Sequence, residues 1–262
     1  MRTDVEIWQA AISLVLIVIV IGVSWWQRLG LERSVLWASA RATVQLLAVG
    51  AFFSVIFESS FANWWSGLWV VAMVVIAGVV VARRTGAGRD LAFVGLAAIG
   101  LTVGVVLAVV FGLGVLAIEA VSVVVIAGIT IGNTMPTVVQ AVDRTRSQLI
   151  DSAGQIEAML ALGFDGPAST KRVVHDVARL ALVPQIERTK VVGLIALPGA
   201  MTGLLLAGVD PIDAVLIQLV VMFLVLGAVA LSVIIVTMAM TRKALTPDLR
   251  LVDWAKTAPQ SA

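Results

Sequence analysis

Cysteine is absent from the 262 residues, histidine occurs once, and only 13% of the residues are charged. Without cysteine there is no disulfide framework. With one imidazole and no thiolate, a tight zinc or iron site has too few nitrogen and sulfur ligands. A soluble domain carries about 25% charged residues, so half the usual polar covering is missing. In its place stand 60% hydrophobic residues and a mean hydropathy of +1.07. A chain of this length cannot bury so much apolar surface in one water-soluble core, and the same figures exclude disorder and collagen-like repeats. The net charge of +2 is too small for a nucleic-acid binder. No G-x4-G-K-[S/T] phosphate loop is present, since the glycines at 86 and 88 lead into Arg89-Asp90. The chain therefore cannot hydrolyse ATP, is not expected to be an enzyme, and holds no cofactor of its own. It reads as an all-α, polytopic membrane protein.

About 20 apolar residues cross the roughly 30 Å of hydrocarbon. Seven stretches qualify: 7–26, 34–57, 64–82, 91–111, 115–140, 191–209 and 212–240. The first is not a cleaved leader, because Asp4 and Glu6 replace a basic start and Trp25-Trp26-Gln27-Arg28 follows it. Lys and Arg fall in alternate connections: Arg28 and Arg33, then Arg83, Arg84 and Arg89, then seven in 141–190, then four in the tail. The intervening connections have none, and carry Glu58, the Gly112–Gly114 turn, and Asp210 with Asp213. The positive-inside rule places the N-terminus outside and the C-terminus in the cytoplasm of a plasma or inner membrane. Trp8, Trp25, Trp26, Trp64 and Trp65 suit the interfacial belt. The expected division is spans one to five in 1–142, a cytoplasmic segment in 143–190, spans six and seven in 191–241, and a cytoplasmic tail in 242–262.

The fifty-residue cytoplasmic segment is too long for a structureless turn. Residues 146–162 place Leu149, Ile150, Ala153, Ile156 and Leu160 at helical spacing, and Gly163 ends that helix. Gly166-Pro167 turns the chain. Ser169 can cap a second helix over 170–183, which Pro184 stops. Two such amphipathic helices form a platform for a protein or for the membrane surface. The acids Asp151, Glu157, Asp165, Asp176 and Glu187 among the bases favour a protein, because an interfacial helix carries mainly Lys and Arg opposite its apolar face.

Several residues carry a functional and a structural alternative. Pro136, within the fifth span, frees the carbonyl of Gly132, which Asn133 can partly satisfy; the result is a hinge or a static kink. Pro198 does the same to Leu194 in the sixth span, where Gly199 and Gly203 form a small-residue face for helix packing or a cross-subunit contact. Arg41 and Gln45 share a face of the second span, as interfacial anchors or as a gate. Glu119 is the best intramembrane carboxylate. Asp210 either lines an outer funnel or caps the seventh helix. Met135, Met201 and Met222 offer soft thioethers, with core packing as the alternative. His175 reads as a surface residue. No metal ligand set is assigned.

Two resemblances add to this. Glu157-Ala158-Met159-Leu160-Ala161-Leu162-Gly163 resembles the EAA loop of ABC-transporter permeases, and Leu182-Val183-Pro184 supplies that loop's ending at longer spacing. The likeness implies that Glu157, Ala158 and Gly163 build a coupling helix seated in an ATPase. The run from Val192 through Leu197-Pro198-Gly199-Ala200-Met201-Thr202-Gly203 to Gly208-Val209-Asp210-Pro211 resembles the FetB/YbbM (UPF0014) family of ABC permeases of the iron-export type. Asp213-Ala214 to Gln218, Gly132-Asn133-Thr134-Met135-Pro136 and Arg41-Ala42-Thr43-Val44-Gln45-Leu46 extend that likeness over nearly the whole chain. It implies a homodimeric permease in the lipid bilayer, bound to a separate ATPase that holds ATP and Mg. It also implies a role in metal homeostasis through export of iron or another metal. A lipid or small organic solute is the alternative cargo, and a proton-driven carrier using Glu119 is the alternative mechanism.

Overall fold

The computed structural model describes residue 12 and residues 14–57, 59, 61–86 and 89–256. Trp8, Glu58 and the start of the first predicted span lie outside the described residues. Within them the chain is all-helical: α1 (Leu14–Trp26), α2 (Glu32–Phe57), α3 (Ala62–Thr85), α4 (Arg89–Gly112), α5 (Ala120–Asp151), α6 (Ala153–Ala161), α7 (Gly166–Val191), α8 (Gly199–Leu206) and α9 (Pro211–Lys243). Five of these (α2, α3, α4, α5 and α9) are long and apolar enough to cross a membrane, and α1 is apolar over 13 residues. The protein is a multi-pass membrane protein.

Helices α3, α4, α5 and α9 form the core bundle. Val81, Val94, Ala98, Ile99, Val138, Ala141, Val233 and Val236 meet in one buried cluster. Between membrane helices small residues permit the close approach that hydrophobic burial alone cannot drive. A Cβ added to Gly78 of α3 would stand 2.5 Å from Leu96 Cδ1 of α4, and one added to Gly95 of α4 would stand 2.8 Å from Val81 Cγ1. Arg83 and Arg84 end α3, and Arg242 and Lys243 end α9; this is the basic end of the bundle. Asp210, at the head of α9, marks the opposite end.

Helix α2 stands apart. It touches α1 and the start of α3 but none of the other helices substantially. Phe52 lies 4.5 Å and Phe53 5.8 Å from Trp69, ring centre to ring centre, which pins its far end. Its near end is held by the last turn of α1, where Ser24 Oγ donates to Glu32 Oε1 at 2.7 Å.

At the basic end, the last turns of α5 pack with α6, α7 and the tail around Leu149, Ile156, Val173, Val177, Ala244 and Leu251. The predicted apolar face of 146–162 is thus partly buried, but in two helices. Residues up to Asp151 continue α5, and Ser152 breaks the chain before α6. Three further expectations are corrected here. The second platform helix is capped by Asp165, whose side chain accepts from Ala168 N at 2.8 Å, and not by Ser169. Gly166-Pro167 opens that helix and does not form a separate turn, because proline is well suited to the first helical position. Pro184 does not stop it: α7 runs on to Val191, since neighbouring helices tolerate a proline inside a membrane-packed helix.

The largest correction concerns the sixth span, which is not one helix over 191–209. Helix α7 ends at Val191, the chain makes an irregular turn through 192–198, and α8 covers only Gly199–Leu206. Gly193 adopts φ +90°, and its N–H donates to Ala196 O at 2.9 Å. Leu197 precedes a proline, which disfavours helical backbone there. Pro198 consequently stands at the N-cap of α8, extended at φ −63°, ψ 146°, and kinks no continuous helix.

Candidate functional site

The break lies part-way along the bundle, on its exposed side. Helix α7 rises antiparallel to α9 from the basic end, where a side chain on Gly166 would meet Leu245. It passes Ala181, which packs with Val233, Val236 and Met240. Its last turns carry Gln185, Arg188 and Thr189 to the level of Val221, Met222 and Val225 of α9. At 1.5 Å per residue, Met222 lies about 30 Å from Arg242, and Asn133 lies about 20 Å from the start of α5. Irregular backbone at membrane depth occurs only where protein covers it or where it lines a water-filled cavity.

A cavity of about 330 Å³ occupies this place. Asn133 of α5, Gln185, Arg188 and Thr189 of α7, Pro198 and Gly199 at the break, and Gln218 and Met222 of α9 line it. Gln218, 7% exposed, directs Oε1 to the backbone N–H of Met201 at 3.2 Å and so ties α9 to the first turn of α8. Asn133 Nδ2 donates to Ile129 O at 2.8 Å. That bond corrects the expectation that Asn133 serves the carbonyl freed by Pro136. Thr137 Oγ1 donates to Asn133 O at 3.2 Å, and Thr130 and Thr134 likewise bond carbonyls one turn back. The stretch around Pro136 is therefore bound back onto itself by side chains, and α5 remains helical through it.

The cavity gathers Asn133, Pro198, Gly199 and Met222 from the residues singled out in the sequence. Met201 joins through its backbone alone. Met135 packs against the central core, the structural alternative for a thioether. Arg41 and Gln45 lie exposed on α2, outside the cavity. Glu119 is not within the fifth span: residues 115–119 are non-helical after the Gly112–Gly114 turn, and Glu119 stands exposed and extended just before α5. Asp210 accepts from Ile212 N at 2.9 Å and caps α9. Among the described residues, no group of three or more His, Asp or Glu could hold a metal ion. His175 is exposed beside Asp176 at 3.2 Å.

The coupling candidates lie far from the cavity. Glu157 and Ala158 are exposed on α6, and Glu157 Oε1 accepts from Lys256 Nζ at 2.9 Å. Gly163, at φ +90°, closes α6, with its N–H on Leu160 O and that of Phe164 on Met159 O. Sequence reasoning missed Gln185, Arg188 and Thr189, because charge assigned them to the cytoplasmic segment. The signal available was the short run 191–209 interrupted by Gly193, Pro198 and Gly199, the mark of a discontinuous membrane helix.

Residues 7–245 match the model of the family described as "Uncharacterised protein family (UPF0014)". The chain belongs to the UPF0014 family. Among its relatives, "UPF0014 membrane protein STAR2" of Oryza sativa subsp. japonica is 36% identical over 83% of this chain and 76% of its own length. "Probable iron export permease protein FetB" of Escherichia coli (strain K12) is 32% identical over 89% of this chain and 90% of its own length. "Protein ALUMINUM SENSITIVE 3" of Arabidopsis thaliana is 30% identical over 85% and 81%. No solved structure matches this UPF0014 chain. The break and its cavity fall within the stretch the family model covers.

Proposed function

We propose that this chain is the membrane-spanning permease subunit of an ABC transporter, exporting iron or another metal with ATP hydrolysed by a separate ATPase. The observation that carries the proposal is that α7 is one continuous helix joining two places. Its early turns, at Val173 and Val177, lie in the packed cluster at the basic end, and its last turns line the polar cavity at the span break. A push on α6 and the base of α7 is thereby delivered to the cavity without an intervening loop. Leu162, 78% exposed, and Phe164 stand at the tip between the two helices. This tip is the part of the platform assigned to the ATPase, which binds ATP and Mg. The basic end is then cytoplasmic.

The same break supports reading the permease as a homodimer. Leu194 and Ile195 are 93% and 83% exposed at membrane depth, on irregular backbone that lipid does not tolerate. Arg41, exposed on the loosely attached α2, also needs a partner or a route to water in the bilayer. A second copy covers both features. The metal cargo rests on the name of the E. coli relative. The proton-driven alternative loses its support, since Glu119 lies outside the helix. Vesicles holding the chain and its ATPase are expected to move iron only with hydrolysable ATP. Transport by this chain alone would overturn the proposal.

A further inference from the structure

The cavity has the wrong chemistry for a bare cation. Its charged lining residue is Arg188, for which no carboxylate lies within ion-pairing distance among the described residues, and no Asp or Glu lines the cavity. The adjacent Glu187 is already engaged, its Oε1 accepting from Lys190 Nζ at 2.8 Å. Gln218 is more than nine-tenths buried and spends Oε1 on Met201 N. Its Nε2 donor has no partner among the described residues and belongs to the cavity wall. The first turn of α8 opens at the same place, with the free N–H groups of Gly199 and Ala200 beside Pro198. Helix starts, guanidinium groups and amide donors all favour negative charge. In transporters with discontinuous helices, such half-helix starts point at anionic groups of the substrate.

We propose that the cavity bounded by Arg188, Gln218 and the first turn of α8 is an anion site for a small carboxylate- or phosphate-bearing ligand. Any metal that crosses here crosses as an anionic complex. The inference rests on the proposed transport function for the direction of movement, but not for binding. Arg188 supplies the charge and a two-pronged donor that matches a carboxylate or phosphate. Gln218 Nε2 and the helix start supply neutral donors, and Asn133 and Thr189 add polar lining. Arg188 is exposed at the cavity rim, and the remaining lining, Ile129, Val221 and Met222, is apolar.

The test is binding to the full chain in lipid nanodiscs, without ATPase, by titration calorimetry with citrate, inorganic phosphate, iron(III) citrate and ferrous ion in a non-chelating buffer. Citrate or phosphate is expected to bind, and Arg188→Gln to weaken that binding at least tenfold. Arg188→Lys should retain part of it, and Gln218→Leu should weaken it severalfold. Each variant is checked for an unchanged size-exclusion profile. Stronger binding of iron(III) citrate than of citrate assigns the complex, whereas equal binding assigns the free organic anion. Absence of anion binding, anion binding indifferent to both positions, or tight ferrous-ion binding indifferent to Arg188 overturns the proposal. Anion binding without ATP-driven transport in vesicles would instead remove the transport function and leave the site standing.

Discussion

Lys256 Nζ lies 2.9 Å from Glu157 Oε1, so the carboxylate expected to face a partner subunit is held by the protein's own tail. Both side chains are half exposed, and a pair of this kind contributes only about 0–1 kcal/mol. Asp248, Leu249 and Arg250 of the tail border the same groove. A docked ATPase therefore competes with Lys256 at little cost. Lys256→Ala is expected to leave the unfolding temperature within a degree or two and to leave or raise transporter-coupled ATP hydrolysis. Glu157→Lys is expected to abolish both co-purification with the ATPase and its stimulation. A Glu157→Lys chain that couples normally removes α6 from the docking surface.

The contact between α3 and α4 depends on a side chain that is missing. At Gly78 an added Cβ meets Leu96 at 2.5 Å and 2.9 Å, whereas at Gly100 the nearest atom, Val74 Cγ1, is 3.4 Å away. Gly78→Ala should destabilise the bundle by about 1–3 kcal/mol through overpacking, and Gly100→Ala should be close to neutral. Melting of the two variants in detergent, followed by size-exclusion fluorescence, measures the difference.

Backbone conformation at the break is fixed by Gly193 at φ +90°. A side chain there costs about 1–2 kcal/mol. Nothing lies within 4 Å of an added Cβ, so the strain is conformational and not steric. Gly193→Ala is expected to lower ATP-driven transport in vesicles while the chain still assembles with its ATPase. Unchanged transport would show that the turn relaxes without consequence.

Because the natural chain has no cysteine, single introduced thiols report subunit contacts without a background. Leu194→Cys and Ile195→Cys, at the exposed break, are expected to form intermolecular disulfides under mild oxidation in membranes. Phe93→Cys, exposed on α4 at the basic end, serves as the lipid-facing control and is expected to stay monomeric on non-reducing gels. The reverse pattern would place the subunit interface on α4.

Asp210 discriminates a cap from a cation path. As an N-cap, Asp210→Asn should be nearly silent, because asparagine also accepts from Ile212 N, and Asp210→Ala should cost about 1 kcal/mol. As a funnel carboxylate, both changes should slow transport equally. Thermal melts and vesicle flux on the same two variants separate these outcomes.

Composition alone determined the solvent of this protein, because 13% charge cannot clothe 60% apolar residues in water. Span positions for α3, α4 and α9 were legible within a few residues, since an uninterrupted apolar run leaves the backbone no option but a helix in lipid. Proline and charge misled in opposite directions. Pro184 sits inside a helix, and Pro198 begins one. The chemical preferences of a proline are the same at both sites, and what differs is the neighbouring structure. At Pro184 α9 runs alongside, whereas at Pro198 Gln218 reaches across to bond Met201. The break and Gln218 fall in the run that carries the family resemblance, whereas Arg188 counts by sequence only among the bases of the cytoplasmic segment. Only the packing of α7 along α9 carries it to membrane depth beside a helix start and an unpaired amide. Local pattern thus decided which segments are helical and apolar, through desolvation of each residue taken singly. Which polar groups meet inside depended on contacts between residues far apart in the chain, and these exist only once the helices have packed.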